Sequence, residues 1–320
     1  MQLLVPILLF AVGFVLLIKG GDWFVDGSVG IAHRFKLPEL LIGATVVSIG
    51  TTLPEVMVSA QAAAAGNSGI SYGNAIGSVI CNTSLIAAIT MAVRPAPIKK
   101  QSLFLPVGYF FCAAIVYSVF AYAVGTFPRW FGLILLAAFI VYLVISTIQM
   151  KKHPEEAEEE EEEEEGKEKK LWQELLLLVI GAAAIALGAK FLVDNGTILA
   201  EAMGVPSSVI GLTVIALGTS LPELITAITS LVKGHSALSL GNVIGANLFN
   251  IILVSGAAIT ISPFAVPAEK TIMGLNSSLI IDIPLMFAVM LIMCVPSLVK
   301  GKVSRWQGIL LLAIYAAFNI

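Results

Sequence analysis

One hexapeptide, present twice, restricts this chain more than any other feature. Gly50-Thr51-Thr52-Leu53-Pro54-Glu55 lies inside a long apolar run, and Gly218-Thr219-Ser220-Leu221-Pro222-Glu223 lies inside another. Each copy places a proline, two hydroxyls and a carboxylate where a membrane-spanning helix would be expected. Pro54 has no N–H, and its ring crowds the carbonyl four residues back, so the sequence predicts an opened turn with freed backbone oxygens. A carboxylate at membrane depth is costly, and polar broken backbone survives there only inside protein or against a water-filled cavity. Two copies predict one buried, oxygen-rich site assembled from two halves.

The surrounding composition sets the solvent. Of 320 residues, 58% are hydrophobic and only 12% charged, with mean hydropathy +0.96. Such values exclude a soluble domain and imply spans of about 20 apolar residues. The net charge of −3 is misleading, because 11 of the 21 acidic residues fall between Glu155 and Glu168. No basic, aromatic-interleaved patch points to nucleic acid. Cys81, Cys112 and Cys294 lie in apolar segments without CxxC spacing and read as reduced packing residues. The first apolar segment lacks a basic n-region and has a later counterpart, so it reads as a helix rather than a signal peptide.

Apolar runs separated by charged or Pro/Gly turns give ten spans, near 3–20, 38–65, 72–93, 103–124, 130–150, 172–192, 206–232, 238–261, 272–297 and 305–320. The second five repeat the first. Positions 55 and 223 differ by 168, as do Gly73 and Gly241, Asn82 and Asn250, Asp26 and Asp194, and Pro38 and Pro206. Five spans per copy is an odd number, so the copies enter the membrane in opposite directions. The predicted fold is an all-α integral membrane protein, ten transmembrane helices arranged as two inverted-topology five-helix repeats. That is an architecture of secondary transporters, with the binding site where interrupted helices meet near the midplane. The expected organisation is a first repeat over 1–150, an acidic linker over 151–171 and a second repeat over 172–320, all in one integrated transmembrane domain.

Basic residues after the odd-numbered spans, among them Arg34, Lys36, Arg94, Lys99, Lys100, Lys151, Lys152, Lys233, Lys300 and Lys302, outnumber those on the other side. The positive-inside rule then predicts a multi-pass cell-membrane protein with a cytoplasmic linker and both termini outside. The poly-Glu linker repels itself and has nothing apolar to bury, so it reads as a solvated tether.

A second pattern follows each Pro-Glu segment. Gly73-Asn74-Ala75-Ile76-Gly77-Ser78 precedes Asn82, and Gly241-Asn242-Val243-Ile244-Gly245-Ala246 precedes Asn250. Glycines at i and i+4 predict close helix approach, and Asn74, Ser78 and Asn82 share one helical face. His33, His153 and His235 lie in loops or at span ends, so the midplane offers oxygen alone. Oxygen ligands select hard cations, and two carboxylates with carbonyls suit calcium better than magnesium. Two ionised glutamates are neutralised by one Ca²⁺, two Na⁺ or two protons. An empty doubly charged site resists crossing, which favours obligatory exchange over uniport.

At these residues the sequence resembles the sodium/calcium exchangers of the cation/calcium exchanger superfamily, in prokaryotic form with two alpha-repeats. The resemblance covers Gly50–Glu55 with Gly73–Asn82, Gly218–Glu223 with Gly241–Asn250, and nearly the whole chain. It implies calcium binding by Glu55 and Glu223 with the carbonyls of Thr51 and Thr219. It implies sodium binding by the carbonyls of Ser48 and Ala216, the side chains of Thr52, Ser78 and Ser220, and the two glutamates. Asn82 and Asn250 would flank the centre. It also implies alternating access by sliding of the first and sixth helices over a fixed eight-helix core. Two departures stand out: Ala246 occupies the position repeat-related to Ser78, and Asn250 stands where some prokaryotic members and the potassium-dependent branch carry Asp.

The expected function is therefore a secondary-active Na⁺/Ca²⁺ antiporter, not an enzyme, with no bound cofactor and no obligate protein partner, plausibly monomeric. The rivals are a Ca²⁺/H⁺ exchanger of the same superfamily and, more distantly, a cation channel. An intramembrane hydrolase is disfavoured because HExxH is missing and no His lies near a membrane Ser or Asp. Asp282, the other charged residue deep in an apolar run and without an acidic repeat counterpart, is expected to serve structural hydrogen bonding ahead of the ion path.

Overall fold

The computed structural model describes residues 3–152, 169–204, 218–268, 271–272 and 274–318. Ten helical segments follow in order. They are α1 Leu4–Arg34, α2 Glu39–Ala64, α3 Ser68–Val93, α4 Lys100–Ala123, α5 Arg129–Lys152, α6 Leu171–Ala202, α7 Leu221–Lys233, α8 Ser236–Ile261, α9 Ser278–Lys300 and α10 Arg305–Phe318. Eight of these are long and apolar enough to cross a membrane, and α10 is a shorter apolar helix. The seventh span is described only from 218 onward, and the acidic linker lies outside the described residues.

Burial sorts the helices into a centre and a periphery. The apolar windows of α3 and α8 are 72% and 78% buried by protein, against 28% for both α1 and α6. The central group is α2, α3, α7 and α8, where the two copies of the hexapeptide meet. The peripheral α1 and α6 pack mainly on each other, over most of their length. Glycines make that possible. Cβ atoms at Gly20 and Gly27 would sit 2.8 Å from the Ile185 nitrogen and 2.6 Å from the Leu178 nitrogen, and one at Gly188 would sit 2.8 Å from the Gly13 carbonyl oxygen. Close backbone approach of this kind is how small residues associate helices in lipid.

Both of these helices run well past the limits expected from the apolar pattern, 3–20 and 172–192. The α1 extension carries charge, and the fold pairs it. Lys233 Nζ lies 2.6 Å from Asp26 Oδ1 and 3.5 Å from Asp22 Oδ1, and Lys169 Nζ lies 3.7 Å from Asp26 Oδ2. Arg34 grips Glu174 through Nε at 2.7 Å and Nη2 at 3.0 Å. Paired acids do not end a helix, so hydropathy alone underestimates its length.

The proline of the first hexapeptide also behaves differently from expectation. Ser48–Ala64 is continuous α-helix with Pro54 inside it. The irregularity lies just upstream, as a π-helical segment over Gly43–Val47. Equivalent π segments interrupt α3 at Asn82–Ala87 and α8 at Asn250–Val254, beginning 168 residues apart. In the second hexapeptide the proline does mark a helix start: α7 begins at Leu221 with Pro222 in its first turn, where a missing N–H is tolerated.

Short backbone pairings tie the loops. Strand β1, Thr126–Phe127, pairs antiparallel with β2, Phe264–Ala265, and at the other end of the bundle Pro97 bridges Lys302. A hairpin of β3, Thr271–Ile272, with β4, Leu275–Asn276, precedes α9.

Candidate cation site

The two glutamates converge. Glu55 on α2 and Glu223 on α7 are fully buried, and their carboxyl groups lie within direct interaction range of each other. Thr52 Oγ1 reaches across from the first repeat to Glu223 Oε1 at 3.4 Å. Thr51 and Ser48 turn instead toward α8: Thr51 Oγ1 donates to Asn242 Oδ1 at 3.1 Å, and Ser48 Oγ to the Asn242 carbonyl at 2.9 Å. Asn74 secures the same helix from α3, donating to the Glu55 carbonyl at 3.1 Å and to Ser59 Oγ at 2.9 Å. Asn74 and Asn242, repeat-related and on the face read as a polar stripe, thus brace the first hexapeptide from both sides.

Ser78, Asn82, Asn250 and Ser220 are all buried, while Thr219 is half-buried. The carbonyl of Ala216 falls outside the described residues, and Ala246 is buried at the position corresponding to Ser78. Both oxygens of Glu55, Glu223 Oε2 and the side-chain amides of Asn82 and Asn250 are buried without a hydrogen-bond partner. Buried acceptors left unmatched are unfavourable unless something compensates them. A hard cation does so, and the donor set fits one: carboxylate, amide and hydroxyl oxygen predominate, although the Cys81 thiol adjoins Ser220, which corrects the expectation of oxygen alone. Among the described residues no three His, Cys, Asp or Glu side chains gather as a metal set, so any cation here relies on two acids plus neutral oxygens.

The π segments were not legible from the sequence, and their hydrogen bonding shows how they are held. Ser48 Oγ shares its single proton between the Asn242 carbonyl and the Gly43 carbonyl at 2.7 Å, and Ser255 Oγ donates to the Asn250 carbonyl at 3.0 Å, each hydroxyl serving the oxygen five residues back. Tyr142 Oη on α5 props the first segment through the Ala44 carbonyl at 3.0 Å. Such bulges are frequent at functional sites. Here three of them surround the acidic pair.

The expected close approach of the Gly-x-x-x-Gly pairs is met by the second copy. A Cβ at Gly245 would sit 2.6 Å from Ala44 Cα, and one at Gly241 would collide with the Leu40 carbonyl. For Gly73 and Gly77 nothing among the described residues comes within 4 Å. The segment repeat-related to Leu40–Ser48 is numbers 208–216, outside the described residues. Asp282 closes a π segment at the start of α9, half-buried and within electrostatic reach of the Tyr72 hydroxyl.

Comparison with known proteins finds relatives along nearly the whole chain. The family described as sodium/calcium exchanger protein matches residues 5–148 and 174–320. The chain is 34% identical to the membrane protein MJ0091 of Methanocaldococcus jannaschii, over 96% of this chain and 94% of that one. It is 31% identical to the sodium/calcium exchanger MaX1 of Methanosarcina acetivorans, over 99% and 98%. Among solved structures, the sodium-calcium exchanger NCX_Mj soaked with Na⁺ and Sr²⁺ superposes with a TM-score of 0.83 at 31% identity, covering 98% of each chain. With a family match across both halves and full-length relatives of this kind, the chain belongs to the sodium/calcium exchanger protein family.

Proposed function

We propose that Glu55 and Glu223 form the shared cation centre of a Na⁺/Ca²⁺ antiporter working by alternating access. Exchange of Na⁺ for Ca²⁺ follows from the family and from the relatives named above. The observation that supports the assignment to these residues is the meeting of two repeat-related carboxylates, fully buried and rich in unmatched oxygens. With both ionised, one Ca²⁺ or two Na⁺ bring the centre to neutrality. The bare centre carries −2 in a medium that penalises each charge by at least ~2.5–3.5 kcal/mol. Loaded protein therefore changes sides and empty protein does not. In this reading the carbonyls of Thr51 and Thr219 complete the calcium shell. Ser48, Ala216, Thr52, Ser78 and Ser220 serve sodium, and Asn82 and Asn250 flank the centre.

The closely packed α1–α6 pair, joined to α7 by Lys233 and by the Gly21 contact with Ile225 and Thr229, is the moving element in this account. The protein sits in the cell membrane with its Arg34, Arg94 and Lys233 side in the cytoplasm. Calcium uptake into sodium-loaded proteoliposomes, with pH equal on both faces, tests the function. Sodium-driven accumulation is expected; uptake driven by a pH gradient alone would shift the assignment to Ca²⁺/H⁺ exchange.

Ala246→Ser is expected to lower the sodium concentration for half-maximal exchange, because it restores a hydroxyl where the first repeat has Ser78. One added oxygen ligand of about 1 kcal/mol corresponds to roughly fivefold. An unchanged or weaker sodium dependence would show that this position does not contact the ion.

A further inference from the structure

Serine and threonine in apolar helices ordinarily satisfy themselves by donating to the carbonyl four residues back. Ser28, Thr83, Ser118 and Ser297 do so here, at 2.7, 2.8, 2.7 and 2.6 Å. Thr226, Ser230 and Ser239 do not. All three are at most 1% exposed, and their hydroxyls have no hydrogen-bond partner. Thr226 and Ser230 follow Glu223 by three and seven residues, so they share its face of α7. Ser239 stands in the first turn of α8, which packs against α7. Ten residues separate Glu223 from Lys233, about 15 Å of helix. At the far end the Gly234–Ser236 turn lines a cavity of about 410 Å³ with His33, Glu39 and Arg94.

The first repeat lacks this feature. The positions matching Thr226 and Ser230 are Val58 and Ala62. The position matching Ser239 is Ser71, whose hydroxyl donates to the Ser59 carbonyl at 2.9 Å. Among the described residues, the row of unsatisfied hydroxyls leading away from a glutamate is found in the second repeat. The covering element is also evident. Ile225 and Thr229, on the adjoining face of α7, would each meet a Cβ at Gly21 of α1 at 2.8 Å.

We propose that Thr226, Ser230 and Ser239 line the lead by which hard cations pass between Glu223 and the cavity on the Lys233 side. The hydroxyl oxygens replace hydration water along the way, and α1 shuts the lead in the present conformation. This deepens the antiporter reading and rests on it for the identity of the ion.

The test is the Thr226→Val/Ser230→Ala double variant in oriented proteoliposomes, with Ca²⁺ varied on one face at a time and equilibrium ⁴⁵Ca²⁺ binding measured in detergent. Losing the hydroxyls is expected to raise the half-saturating Ca²⁺ on the Lys233 face roughly fivefold, leaving the opposite face and equilibrium binding unchanged. Equal loss on both faces, loss of equilibrium binding, or no effect would each overturn the proposal. A second readout does not need exchange. Ser230→Cys, in a background with Cys81, Cys112 and Cys294 replaced by Ser, should react with a membrane-impermeant thiosulfonate from the Lys233 face alone. Reaction from the opposite face, or from neither, refutes the lead. One-sided labelling without sodium-driven uptake by the unmutated protein would keep the lead and discard the antiporter reading.

Discussion

Glu55→Gln and Glu223→Gln are each expected to abolish calcium exchange while leaving the protein folded. Glutamine keeps the shape of the side chain but leaves one formal charge to face a divalent ion. Removing one partner of a buried charge interaction costs about 2–5 kcal/mol, or roughly 30- to 5,000-fold in affinity. Folding should not suffer, because two buried carboxyls in direct interaction range repel when both are ionised. The ion-free variants should therefore melt no lower than the parent, and titration with ⁴⁵Ca²⁺ beside a thermal melt separates the two effects. Wild-type calcium turnover in either variant would remove the acidic pair from the mechanism.

The second large effect is expected at a glycine. Gly241→Ala should destabilise the protein markedly, because the new methyl meets the Leu40 carbonyl, and backbone cannot rotate aside as a side chain can. Overpacking by a single group costs about 1–3 kcal/mol where neighbours can adjust, and the figure here belongs at the upper end. The helices forced apart are α2 and α8, so Ser48 and Thr51 would also lose Asn242. Sodium-dependent uptake should fall along with the melting temperature. Gly108→Ala on α4 is the control: nothing among the described residues lies within 4 Å of its Cβ, and Ala favours a helix over Gly by about 0.5–1 kcal/mol. Equal melting of both variants would mean that the α2–α8 contact is not the tight one.

Much of the architecture could be read from the chain because duplication converts weak signals into a spacing test. A lone Pro-Glu in an apolar run is ambiguous; a second one 168 residues later, accompanied by Gly73 with Gly241 and Asn82 with Asn250, is not. Helix ends were less legible. Hydropathy sees Asp22 and Asp26 as a stop, whereas Lys233 and Lys169, distant in sequence, let α1 continue. The irregular backbone was misplaced for a related reason. Proline marks a missing donor, but the π turns start at Gly43, Asn82 and Asn250; a serine hydroxyl five residues on caps the first and third, and the first is also met by Tyr142, which no local pattern singles out. One signal was present and went unused: Gly13, Gly20 and Gly27 recur every seventh residue, as do Gly181 and Gly188, and they mark the α1–α6 seam.

The loop pairings carry a mechanical consequence. One stitch joins Thr126–Phe127 to Phe264–Ala265, and the other joins Pro97 to Lys302, so both rims of the bundle are sewn across the repeats. Neither thread passes through Leu4–Arg34 or Leu171–Ala202. Under the proposed alternating access, lengthwise shear of those two rods against the frame would therefore break side-chain contacts such as those of Lys233 without tearing either β pairing.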